Sequence, residues 1–96
     1  MNTDRLVQVA RLIVACNAPT AVAYVTLSWD EANSAIHLNF HSDSNLSEDD
    51  MESCEIALTE LYADVWQDIK KMDSSYSSGA QSGQFLPHSQ IVYTRS

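Results

Sequence analysis

"AVAYVTLSWDEANSAIHLNFH", residues 21 to 41, is the stretch on which the fold turns. In its first half the odd positions Ala23, Val25, Leu27 and Trp29 are apolar, and in its second half the even positions Ile36, Leu38 and Phe40 are. Alternation with a period of two marks a strand that buries one face. Between the halves, Asp30-Glu31-Ala32-Asn33 is polar and suited to a tight turn. Setting Trp29 opposite Ser34 brings Leu27 to Ile36, Val25 to Leu38 and Ala23 to Phe40, so both apolar sets share one face. An antiparallel hairpin is predicted. Its other face carries Tyr24, Thr26, Ser28, His37, Asn39 and His41, and is left to water or to a binding partner.

Upstream, residues 3 to 16 read as a helix. Thr3 caps it, Asp4 suits the positive end of its dipole, and Leu6, Val9, Ala10, Ile13 and Cys16 form a stripe. Asn17-Ala18-Pro19 ends it, because the residue before a proline is driven out of the helical region. Downstream, residues 41 to 45 are a loop. Ser47 with Asp50 three residues on then signals an N-cap with an acidic N3 residue, and Leu46 and Met51 are spaced as a hydrophobic staple. The long helix that follows would bury Met51, Cys54, Leu58, Leu61, Tyr62, Val65 and Ile69. "HSQIVYTR" (88–95) reads as a strand after Pro87. Residues 70 to 77 read as a strand leading into a closing hairpin, ahead of a Ser- and Gly-rich segment; a longer helix and irregular chain are the alternatives there. The fold class is therefore α+β in one domain, residues 1–96: helix, β-hairpin, long helix, one or two C-terminal strands, and an antiparallel sheet packed against the helices.

Charge is the unusual property. The chain has 13 acids and 5 bases in 96 residues, a formal charge of −8, while its 45% hydrophobic content is ordinary. Between Arg11 and Lys70 there is no base at all, yet eleven carboxylates fall there. Phosphate binding needs Lys and Arg, so nucleic acid and anionic membrane are disfavoured as partners, and a cationic protein is favoured. The apolar start carries Asp4, Arg5 and Arg11, which does not fit an export signal, and no apolar run is long enough to span a bilayer. These features predict a cytoplasmic location, with Cys16 and Cys54 reduced and buried.

Catalytic and metal chemistry find little support. His37 and His41 on one strand stand about 13 Å apart, too far for a shared ion. Cys54 sits on an apolar stripe, where a thiol is usually a small hydrophobe. With two glycines and no phosphate loop, no Ser-His-Asp order, no cofactor and no small-molecule ligand are expected. Within the long helix, Glu48, Asp49 and Asp50 are explained by the helix dipole. The later acids are not. Glu60, Asp64 and Asp68 recur every four residues, where like charges repel, and Glu48, Glu52 and Glu55 form a second acidic strip with Trp66 near it. A solvated helix face explains them as readily as a docking surface does.

"TELYADV" (59–65), followed about twenty residues later by "LPHSQIVYTR" (86–95), resembles small immunity proteins of bacterial contact-dependent growth inhibition and related polymorphic toxin systems. Val65-Trp66 stands where the family's helix end has an aromatic residue and a proline. The resemblance implies a non-catalytic inhibitor that covers a cognate toxin domain, often a basic nuclease. That partner matches the one the charge favours. On this reading Glu48, Glu52, Glu55, Glu60, Asp64, Asp68 and Trp66 bind the toxin by occlusion and charge complementarity, with Asp30, Glu31 and Asp43 in reserve. An adaptor or self-associating subunit using an open sheet edge or the polar hairpin face is the first alternative, and a small enzyme or metal protein the second.

Overall fold

The computed structural model describes residues 3–43, 45–78 and 89–95. Along the chain run α1 (Thr3–Asn17), β1 (Val22–Asp30), β2 (Ala35–Ser42), α2 (Glu48–Val65), β3 (Lys71–Ser78) and β4 (Ser89–Thr94). The strands form one sheet in the order β3-β2-β1-β4. This is the predicted α+β architecture, with two helices against a mostly antiparallel sheet.

β1 and β2 form the expected hairpin, displaced by two residues from the expected register. Trp29 faces Ile36, Leu27 faces Leu38 and Val25 faces Phe40. The loop is Glu31 to Ser34, one step later than predicted. The Asp30 carboxylate explains the shift: it accepts from the Asn33 side chain at 2.6 Å and from the Asn33 backbone N–H at 3.3 Å. An even displacement preserves the facing parity. Val25, Leu27, Ile36, Leu38 and Phe40 therefore still share the buried face. A bulge at Ala23 reverses the parity at the strand's start, so Val22 is fully buried where Ala23 had been expected.

Both helices lie on that face. α1 packs against α2 and over β4. Its buried residues are Leu6, Val7, Ala10 and Val14, a stripe turned by about one residue from the predicted one. Val9 and Ile13 are only half-buried, and Cys16 is exposed rather than buried. A helix wedged between α2 and the sheet is covered on two sides, which brings Val7 and Val14 inward. α1 closes with Ala18 N–H donating to Val14 O at 2.7 Å and the Asn17 amide donating to Ile13 O at 2.9 Å.

α2 opens with the predicted capping box: Asp50 N–H donates to Ser47 Oγ at 3.1 Å, and Ser47 N–H to the Asp50 carboxylate at 3.2 Å. It buries Cys54, Ala57, Leu61 and Val65, whereas Met51 and Tyr62, placed in the core by the sequence, are exposed. Beyond it, Lys70 N–H donates to Ser34 O at 2.8 Å, which brings the chain back beside the hairpin turn. β3 then runs parallel to β2 from Ala35↔Lys71 to Ser42↔Ser78. A strand forms here as predicted, at Lys71–Ser78 rather than 70–77, but no β3–β4 hairpin forms: the two strands occupy opposite edges. The helix between β2 and β3 supplies the crossover that parallel neighbours require. β4 pairs antiparallel with β1, with a bulge near the buried Val92.

Two substitutions test this account by urea denaturation. Phe40→Ala removes a ring with no solvent exposure, stacked on Tyr76 at 5.6 Å, and should cost about 3–5 kcal/mol. Ser34 sits at φ 49°, in the left-handed region. Ser34→Gly should relieve up to about 1 kcal/mol of that strain.

Candidate binding surface

The outer side of α2 is the most distinctive surface. Its core contacts at Cys54, Ala57, Leu61 and Val65 set which way the helix faces. Opposite them Glu48, Glu52, Glu55, Thr59, Tyr62 and Trp66 follow one another at alternating steps of four and three residues, and all are exposed. At 1.5 Å per residue this line is about 27 Å long. Tyr62 is 49% exposed and Trp66 54%, large apolar areas to leave in water beside three carboxylates. No Lys or Arg lies in the helix.

The structure divides the predicted site. Glu48, Glu52, Glu55 and Trp66 share the line just described. Glu60 and Asp64 lie roughly 120–160° around the helix from it. Glu60 also accepts a hydrogen bond from the Asn17 amide at 2.9 Å, tying the end of α1 to α2. Asp68 is exposed but falls in the turn beyond the helix, so of the Glu60, Asp64 and Asp68 run only the first two form a like-charge pair within the helix. Among the reserves, Asp30 is held by Asn33, whose side-chain hydrogen bond and then backbone hydrogen bond lower its pKa. Asp43 pairs with the Arg95 guanidinium, which also donates to Thr20 O at 2.6 Å. Glu31 is exposed in the hairpin loop.

The opposite face of the sheet holds a cluster that the sequence did not disclose. His37 Nδ1 bonds the Asp73 carboxylate, and His37 Nε2 lies 2.8 Å from Ser75 Oγ. Beside them Ser77 Oγ donates to the Asn39 side-chain oxygen Oδ1 at 3.2 Å, and Lys71 stands 3.8 Å from Asp73. Tyr24 stacks on His41 at 4.1 Å, and burial lowers the His41 pKa. The Asp-His-Ser order is that of a nucleophilic relay, but here it lies across two neighbouring strands of a sheet and fastens β3 to β2. Only the parallel pairing brings these residues together, and nothing local in the sequence announces that pairing. Among the described residues no group of three or more His, Cys, Asp or Glu could hold a metal ion, and no helix is long and apolar enough to cross a membrane.

Near the N-terminus of α2, Leu46 and Met51 join Tyr76 and Ser77 around an open cleft of about 350 Å³. Burial raises the Tyr76 pKa, with Cys54 and the Glu55 carboxylate adding to the effect. Burial likewise pushes the Cys54 thiol up to about 11, helped by Asp50 and Glu55.

Residues 17–96 match the family described as MafI2 immunity protein, which is all of the chain beyond its first sixteen residues. No curated protein matches the chain.

The two thiols should report the packing directly. In native protein a thiol reagent should modify Cys16 rapidly and Cys54 only after denaturation. Because the folded state holds the Cys54 proton above its ordinary value of 9, that contribution to stability is present below pH 9 and is lost as pH rises through about 11.

Proposed function

We propose that this chain, which belongs to the MafI2 immunity protein family, neutralises its cognate toxin by laying the outer side of α2 over a cationic surface of the toxin domain. The observation that carries the proposal is the line Glu48–Glu52–Glu55–Thr59–Tyr62–Trp66, exposed along its whole length and free of any base. Carboxylates steer a basic partner into place and reject acidic ones. Tyr62 and Trp66 add what charge alone lacks, since desolvated aromatics carry much of the energy of protein interfaces. A basic nuclease domain is the partner of best fit, because a protein that grips phosphates displays a cationic active-site surface. Inhibition is then stoichiometric occlusion of that surface. The protein acts in the cytoplasm, where such a toxin would meet its substrate, and catalyses nothing itself.

The helix dipole accounts for Glu48 but not for the acids further along α2. Asp64 lies in the last turn of α2, where the helix dipole favours a cation, and it repels Glu60 one turn earlier. Asp64→Lys should therefore raise stability by roughly 0.3–1 kcal/mol. It should weaken toxin binding less than changes on the main line do.

The decisive measurement is calorimetric titration of the toxin domain at low and high salt. Glu52→Lys combined with Glu55→Lys should abolish most of the salt dependence and weaken binding at least about a hundredfold. Trp66→Ala should cost about 2 kcal/mol of affinity with the thermal transition unchanged. Unaltered affinity in both variants would remove α2 from the interface.

A further inference from the structure

The sheet has two edges, and they are not alike. β4 is short, carries a bulge and lies under α1. Among the described residues β3 carries few of the devices by which natural edges avoid pairing. Its eight residues, "KMDSSYSS", contain no proline, and its only lysine is at the first position. It pairs with β2 along its full length without a register shift. In a parallel ladder every second residue turns its N–H and C=O away from the neighbour. Among the described residues those outward groups of β3 have no partner strand.

β3 is also held in place as a template. The His37–Asp73 and His37–Ser75 bonds and the Ser77–Asn39 bond fasten it to β2 from one face, while Tyr76 stacks on Phe40 from the other. Four serines among its eight residues leave the backbone accessible from the side. The cleft at Leu46, Met51 and Tyr76 opens beside its C-terminal half, where an added strand would place an apolar side chain or the aliphatic stem of a Lys or Arg.

We propose that an extended segment of the toxin adds to the outer edge of β3 as a fifth strand, continuing the sheet and seating one side chain in the cleft at Met51 and Tyr76. The inference rests on the toxin-neutralising reading and extends it from the helix to the sheet edge. Charge selects this occupant over a second copy of the chain. Edge-to-edge pairing of two copies would bring together two molecules of formal charge −8, whereas a basic domain is attracted to the same edge. Strand addition supplies backbone hydrogen bonds that depend little on the partner's sequence, and the cleft supplies selectivity.

The test is residue-resolved amide hydrogen exchange on the full chain, alone and co-purified with its cognate toxin domain. Outward-facing amides at alternate positions of 71–78 should exchange at least about tenfold more slowly in the complex. Unchanged β3 exchange in a complex that does form overturns strand addition and leaves the immunity reading standing. Failure of the co-expressed toxin domain to bind at all overturns both. Protection of β3 that grows with protein concentration in the absence of toxin assigns the edge to a second copy, and also overturns the proposal. Ser74→Pro and Ser75→Pro give an independent readout, since one of the two must place its N–H outward and be tolerated by an edge strand. The variant that keeps the wild-type thermal transition should bind toxin at least about tenfold more weakly. Undiminished binding by that variant rejects the added strand.

Discussion

Burial of a single face of the β1–β2 hairpin is the constraint from which the rest of the molecule follows. Val25, Leu27, Ile36, Leu38 and Phe40 are each at most 2% exposed, and each is worth about 1.5–3 kcal/mol relative to being left in water. One side of the sheet must therefore be roofed. With 96 residues the roof is two helices, and both go to the same side. That choice fixes the roles of the remaining surfaces. The polar hairpin face is left for cross-strand hydrogen bonds, and α2, pressed inward through Cys54, Ala57, Leu61 and Val65, turns its other side outward.

The electrostatics divide along the same helix. Its first turn is acidic where the dipole wants acids, and Ser47 and Asp50 complete the cap. Its last turn has no base, and Asp64 stands there against the dipole. Glu60 is drawn into the structure by Asn17, and Asp43 by Arg95. Of the carboxylates aligned with Tyr62 and Trp66, Glu48 serves that first turn, whereas Glu52 and Glu55 lie beyond it. Membership of an immunity-protein family implies a cognate toxin, and on the function proposed above this surface would meet it through long-range attraction followed by desolvation of the aromatics.

Where the sequence misled, the errors share an origin. Met51 and Tyr62 have the helical spacing of core residues and yet are exposed, and Cys16 likewise fits a stripe that the packed helix turns outward. Periodicity locates an apolar arc only to within about one residue, or 100°, and packing against two neighbours rather than one decides where within that arc the core falls. The hairpin slipped by two residues for a similar reason. Parity is enforced by burial, whereas the position of the loop was settled by the Asp30 carboxylate capturing Asn33.

The residues by themselves determined the local elements: a hairpin with one apolar face, a capped acidic helix after Ser47, and a strand near the C-terminus, together with a formal charge of −8. These depend on spacing and side-chain chemistry within a few turns or one loop. The strand order, the parallel seat of β3 beside β2 and the Asp73–His37–Ser75 tie were decided only in three dimensions. A strand such as β3, four of whose eight residues are serine, has no apolar alternation strong enough to select its neighbour. Its position follows from where α2 delivers the chain and from the Lys70–Ser34 hydrogen bond that receives it.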